Sequence, residues 1–153
     1  MSIAPGIVKI ISVKHGGSLM NFLNERPLLS PPGMNANNNW HLIPNSESSY
    51  YISSFNPNGP TSDGPVMTIE PNRGQGTITE IVLRQIMDSD TQSWTMRAGP
   101  EGSHQICSVA VPYLCMGVGG PLPQGAPGMP VSAMHAEGGR SEMWWRFEYQ
   151  ARG

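Results

Sequence analysis

Charge is scarce in this 153-residue chain. Only 13% of its residues are Asp, Glu, Lys or Arg, and 9 basic residues stand against 11 acidic ones for a formal net charge of -2. Phosphate backbones are held by clustered Lys and Arg, so a nucleic-acid binder working through a basic face is excluded. Long apolar runs are missing as well: nothing approaches the roughly 18 consecutive apolar residues of a membrane-crossing helix. The opening Met1-Ser2-Ile3-Ala4-Pro5-Gly6 has no basic stretch followed by an apolar one. No secretory signal is therefore expected, and the expected location is the cytoplasm. Two cysteines are too few for a disulfide framework. Aspartate occurs three times, as Asp63, Asp88 and Asp90.

Turn formers are abundant instead. The 18 Gly and 15 Pro make up over a fifth of the chain, and both residues are poor in helix and strand interiors. A hydrophobic fraction of 38% still supports one core, and the length suits one domain. Between the turn clusters lie short runs rich in β-branched residues, such as Ile7-Val8-Lys9-Ile10-Ile11, Tyr50-Tyr51-Ile52, Val66-Met67-Thr68-Ile69 and Ile106-Cys107-Ser108-Val109. Thr77 to Met87 is the one stretch with a helical look, and its Ile, Val and Thr content predicts a strand. The chain reads as all-β.

Three tryptophans set the architecture. Trp40-His41-Leu42, Trp94-Thr95-Met96 and Trp145-Arg146-Phe147 each pair an indole with an apolar residue two positions on. Each closes a series of four predicted strands: 6–13, 19–23, 27–30 and 40–43; 50–55, 65–69, 78–86 and 93–97; 105–111, 113–117, 130–134 and 144–149. A period of roughly fifty residues marks a repeated unit that cannot bury its apolar face alone. Three such units, at about 5–45, 48–99 and 103–150 of one 1–153 domain, suit a six-stranded barrel closed by a hairpin cap, which leaves few free edges.

Gln92-Ser93-Trp94 carries a full Gln-x-Trp motif, Asn38-Asn39-Trp40 a near match, and Met143-Trp144-Trp145 only the Trp. In these motifs the chain resembles the β-trefoils of the ricin-B-like kind, and Pro5-Gly6-Ile7-Val8-Lys9-Ile10 after Met-Ser is similar to the start of small mushroom β-trefoil proteins. The resemblance implies a β-trefoil and one of two functions. One is protease inhibition of the mycocypin or cocaprin type, by reversible insertion of surface loops into the enzyme cleft. The other is carbohydrate binding as a lectin. A sugar site of that kind uses a carboxylate, an aromatic platform and an amide. The first and third repeats have no Asp, which leaves Asp63 as the candidate for a single site. Asp88 and Asp90 sit where the chain turns and are expected to serve the turn.

Inhibition is the leading expectation, because many prolines stiffen loops such as 119–128, 30–34 and 56–60. The resemblance implies that papain-like cysteine proteases would meet first-repeat loops, here Lys14, His15, Gly16 and Gly17, and Asn24, Glu25 and Arg26. Gly16-Gly17 would pass over a catalytic Cys without a side-chain clash. Asn56 and Asn58 occupy the loop that traps asparagine-specific enzymes in mycocypins, and Lys14 and Arg26 are the cations a trypsin-like serine protease would need. Aspartic proteases are a further class of target, with no residue assigned to them.

Catalysis is not expected. His15, His41, His104 and His135 are scattered, and neither His-Glu-x-x-His nor Gly-x-Ser-x-Gly occurs. No metal or other cofactor is expected either: Asp88-Ser89-Asp90 begins like a calcium loop, but Ser93 and Gly99 replace its required Gly and Glu. Cys107 and Cys115 could face each other, and a cytoplasmic setting favours two free buried thiols. Strand alternation would turn Trp145, Phe147 and Tyr149 inward and Trp144, Arg146 and Glu148 outward. An exposed Trp144 beside Arg146 would suit a homodimer or partner surface, and the alternative is packing under a neighbouring loop.

Overall fold

A computed structural model of the chain describes residues 4–31, 38–55, 64–75, 78–120, 125–136 and 143–150, with backbone alone for 71–75 and 78. The first four strands are β1 (Gly6–Ser12), β2 (Leu19–Phe22), β3 (Arg26–Leu29) and β4 (Trp40–Pro44). The next four are β5 (Tyr50–Ser54), β6 (Val66–Gln75), β7 (Ile78–Arg84) and β8 (Trp94–Ala98). The last are β9 (His104–Ser108), β10 (Leu114–Val118), β11 (Met129–His135) and β12 (Trp145–Tyr149). Each overlaps its expected place, with β6 running on to Gln75 beyond the expected 69, and Ile78–Arg84 from the stretch with a helical look is a strand. Among the described residues no helix is long and apolar enough to cross a membrane.

Six strands close a ring through antiparallel pairs: β1 with β4, β4 with β5, β5 with β8, β8 with β9, β9 with β12, and β12 back to β1. The hairpins β2–β3, β6–β7 and β10–β11 cover one end, where β11 pairs with both β3 and β7. Alternation sends Val8, Ile10, Leu42, Ile52 and Ile106 inward from the barrel. There they meet Leu19, Leu29, Met67, Ile81, Met116 and Val131 from the cap. Each such side chain contributes roughly 1.5–3 kcal/mol when fully buried.

The three tryptophans hold equivalent places. All are fully buried, and each indole N–H donates to a carbonyl on the second strand of its own repeat. Trp40 Nε1 reaches Leu19 O at 2.9 Å, Trp94 Nε1 reaches Met67 O at 3.0 Å, and Trp145 Nε1 reaches Met116 O at 3.0 Å. Each Trp also pairs in register with a buried serine that ends the first strand of the next lobe: Ser54, Ser108 and Ser12 respectively. An indole joins bulk to one donor, so it can fill the barrel while satisfying a carbonyl that burial would otherwise strand. The fold is a β-trefoil.

Two expectations are corrected. Cys107 and Cys115 are not free thiols but a disulfide, because β9 and β10 pair with these residues directly opposite and both are fully buried. The bridge packs with Met134 and Met143 in a second apolar cluster. On β12 only Trp145 is fully inward: Phe147 is half-buried, and Tyr149 is 45% exposed. The Tyr149 hydroxyl instead donates to Ala4 O at 2.6 Å, fastening the start of the chain to its last strand.

Candidate functional site

The indole acceptors Leu19, Met67 and Met116 give the three lobes a common frame. Three residues before each lies Gly16, Gly64 and Tyr113, on the loop that enters the second strand. In the first two lobes a cleft opens between that loop and the segment after the third strand, and its lining differs between them.

In the second lobe the cleft has a volume of about 480 Å³ and is lined by Gly64, Pro65, Gln85 and Ile86. Both walls are fixed. Gly64 N–H donates to Ser54 O at 2.9 Å, Ser54 N–H to Pro65 O at 2.8 Å, and the Ser53 hydroxyl to Gly64 O at 2.9 Å. A Cβ at Gly64 would stand 2.9 Å from Ser54 O, so only Gly lets this wall close so tightly. The opposite wall hangs on Gln92, which is fully buried. Its Nε2 donates to Gln85 O at 2.8 Å and Thr68 Oγ1 at 3.3 Å, and its Oε1 accepts the Met87 N–H at 2.8 Å. Ile86, 44% exposed, gives the cleft an apolar surface. Asp88 serves the turn behind it at positive φ, accepting the Tyr51 hydroxyl at 3.1 Å.

The first lobe keeps a shorter amide at that position, and the third lobe has none. Asn38 stands at the Gln92 position in the first lobe and donates to the Ser18 and Ser30 hydroxyls. Met143 stands there in the third and is buried among apolar neighbours. The first-lobe cleft, of about 430 Å³, is largely apolar, with Leu29, Pro31, Pro127 and Met129 in its lining and His15 at its edge. His15 of the first-repeat turn and residues 126–128 of the proline-rich loop, singled out separately in the sequence, meet here. In the third lobe Tyr113, 59% exposed, lies beside the His135 ring at 4.9 Å, and Arg97 Nη2 donates to Pro112 O at 2.9 Å.

The expected site residues are scattered over this surface. Lys14 and Gly16 are exposed and His15 is half-buried in a turn closed by Gly16 N–H to Ser12 O at 2.9 Å and Ser12 N–H to Gly17 O at 2.8 Å. Gly17 is buried, and an added Cβ would come within 1.8 Å of Ser30 O. Of the Gly pair, then, only Gly16 is presented at the surface, and Gly17 is there for close packing. Asn24 and Glu25 are exposed on the β2–β3 hairpin. Arg26 is half-buried beside them, its guanidinium pulled below its ordinary pKa by burial against an opposing pull from Glu80. Arg146 is exposed, but Trp144 is half-buried with its ring against Gly99, where a Cβ would fall 2.1 Å from Cζ3. The ring thus packs on the loop at Gly99, as the alternative expectation for Trp144 has it, and stays partly exposed. Asn56, Asn58 and Asp63 lie outside the described residues. Among the described residues, no group of three His, Cys, Asp or Glu side chains converges as a metal site would require.

Sequence reasoning did not find Ile86, Gln85 or Tyr113. Exposure of an apolar residue after a strand is a tertiary fact, and the available signal was the intact Gln-x-Trp motif, whose Gln92 amide bonds the backbone of the cleft wall at Gln85 and Met87.

No protein-family model matches the chain, and no curated protein matches it. Solved structures do. The designed threefold-symmetric protein ThreeFoil has a TM-score of 0.72 at 12% identity, over 95% of this chain and 99% of that one. The Macrolepiota procera ricin B-like lectin, solved in complex with lactose, has a TM-score of 0.71 at 19% identity, over 98% and 100%. A Culex salivary protein of the Cysteine and Tryptophan-Rich family has a TM-score of 0.71 at 16% identity, over 97% and 96%. At these identities the likeness carries the architecture alone, and the chain is similar along nearly its whole length to β-trefoil proteins, a ricin B-like lectin among them.

Proposed function

We propose that this protein is a non-enzymatic carbohydrate-binding β-trefoil whose working site is the second-lobe cleft. The observation that carries the reading is the pinning of both cleft walls by hydrogen bonds from buried or half-buried groups, above all from Gln92. A cleft fixed before binding loses little ordering entropy when a ligand enters, and a weak polar ligand such as a sugar depends on that saving. Ile86 offers an apolar contact to the C–H face of a sugar ring, and Gln85 and the backbone offer hydroxyl partners. Asp63 directly precedes Gly64 in the sequence and is the carboxylate nearest along the chain. Fold similarity to a lectin crystallised with lactose supports the same reading.

A glycan array followed by calorimetry with lactose tests it. Ile86→Asp and Asp63→Asn should each weaken any binding about tenfold, the worth of one good polar or apolar contact. A blank array, or binding unmoved by both substitutions, rejects the site.

A second reading, cleft-filling protease inhibition of the mycocypin or cocaprin type, is favoured by the β2–β3 hairpin. Its tip, residues 23–25, is exposed and braced by the Asn21 and Asn24 amides. Residual activity of papain, pepsin and trypsin in the presence of excess protein decides it.

A further inference from the structure

The third lobe carries sulfur where the first carries hydroxyls and an amide. Strand register identifies the matching positions. Ile11 stands opposite Ser18, whose carbonyl accepts the Ser30 N–H at 2.9 Å. In the second lobe Ser53 stands opposite Val66, and Val66 opposite Arg84. In the third, Cys107 stands opposite Cys115, and Cys115 opposite Met134. Side chains directly opposite one another share a face of the sheet. The position two residues before each indole holds Asn38, Gln92 and Met143.

The first lobe shows that these positions converge on one point, since Asn38 Nδ2 donates to the hydroxyls of both Ser18 and Ser30. Their counterparts Cys115, Met134 and Met143 pack together with Cys107 in one cluster. Gly117, two residues beyond Cys115 and on the same face, makes room for them. A Cβ there would stand 2.8 Å from Met134 Sδ and 3.2 Å from Met143 Cγ. Cys107, Cys115 and Met143 are fully buried, and Met134 is 7% exposed. A disulfide needs the two cysteines alone. Four gathered sulfurs are also a set of metal donors, of the soft kind. Zn²⁺ is completed by further thiolates, imidazoles or carboxylates, and among the described residues no third His, Cys, Asp or Glu joins the pair. Thiolates with thioethers suit Cu⁺.

We propose that the third lobe, once its disulfide is reduced, is a Cu⁺ site formed by Cys107, Cys115, Met134 and Met143. Reduction takes two molecules of a small thiol, which leave as their own disulfide while the Cys107–Cys115 bond becomes two thiols. Cu⁺ then displaces both thiol protons to solvent, and the thioethers bind it through a lone pair without losing a proton. Met134, the member of the cluster with surface exposed, meets the metal first. In the oxidised chain the cysteine sulfurs are bonded to each other, so the lobe holds either a disulfide or copper.

The test titrates the chain, reduced with a trialkylphosphine and freed of it without air, with Cu⁺ held by the chelator bicinchoninate. The reduced chain should withdraw one Cu⁺, with sulfur alone around the metal in X-ray absorption, and the oxidised chain none. Met134→Leu and Met143→Leu keep the apolar bulk. Each should weaken Cu⁺ binding at least about tenfold, the cost of losing even an outer partner of a metal, while intact mass shows the disulfide still forming without reductant. A reduced parent that takes no more Cu⁺ than the Cys107→Ser, Cys115→Ser variant overturns the proposal. So does a near-UV spectrum that collapses on reduction, because the site needs a folded lobe. Unchanged affinity in both methionine variants, nitrogen or oxygen around the copper, or Zn²⁺ held as tightly as Cu⁺ overturns the four-sulfur site.

Discussion

Replacing Gln92 by Met would give the second lobe the residue that the third lobe has at Met143. The side chains are similar in length, so packing changes little and the hydrogen bonds are what is removed. Gln85 O and the Met87 N–H lose their partner, and Thr68 Oγ1 loses a weaker one. Residues 85–88 are exposed, so the two backbone groups can turn to water and avoid the full penalty of a stranded polar group. Each then costs about 1 kcal/mol, roughly 2 kcal/mol in all. With an m-value of about 2 kcal/mol/M in urea the unfolding midpoint drops by ~1 M at unchanged m, and the melting temperature falls by roughly 5 °C. Tryptophan fluorescence follows the transition, since all three indole cores open together. The same substitution frees one wall of the cleft, so binding of whichever glycan the parent takes should weaken more than stability alone explains. A midpoint that stays put would refute the assignment of Gln92 as the brace of that wall. Lost stability with unchanged glycan affinity would detach the brace from the site.

Other consequences concern the scaffold. Trp40→Phe, Trp94→Phe and Trp145→Phe each strand one buried carbonyl, so each should cost about 2 kcal/mol in urea unfolding, and near-equal costs are what lobe equivalence requires. His104 lies against Phe147 at 5.6 Å, and its Nδ1 is buried. Burial lowers its pKa from the ordinary 6.5, against a smaller opposing pull from the Gly102 backbone. The fold therefore favours neutral His104. Its contribution is complete above 6.5 and is lost as pH falls from there through the lowered native value. Urea titrations across that range should show the parent losing stability faster on acidification than His104→Asn. Intact mass without reductant should be two hydrogens below the reduced value if Cys107 and Cys115 are bridged as their register requires. Changing both to Ser should cost about 2–3 kcal/mol for so short a loop.

Much of the fold was legible because its signals are local. β-Branched runs bounded by Gly, Pro and Asn mark strands wherever they fall, and an indole followed by an apolar residue two positions on marks alternation in a strand. Trp40, Trp94 and Trp145 therefore gave the lobes and their order. The facing of Cys107 and Cys115 was legible and the bond was not, because the expected cytoplasmic setting pointed to reduced thiols whatever the register. Tyr149 was misplaced for a different reason: alternation presumes a covering layer, and the end of the last strand runs past the core. Leu23 and Asn24, both with φ of +56°, carried no warning, since nothing in a Leu-Asn pair announces two left-handed residues. The Gln-x-Trp motif was visible at 92–94, yet its meaning for the cleft depended on Gln85 and Met87 arriving beside the amide. Gly17 looked like a slender surface contact and proved to be a residue with a carbonyl where its side chain would be.

Lactose titration followed by backbone amide NMR is the most direct test of the central claim, that the amide-braced second-lobe cleft takes a sugar. The account predicts shifts clustered at Gly64, Gln85, Ile86 and Met87, with Gly16 and Tyr113 at the related positions of the other lobes unmoved. Shifts confined to those other lobes, or none at saturating sugar for any glycan the protein captures, would contradict it.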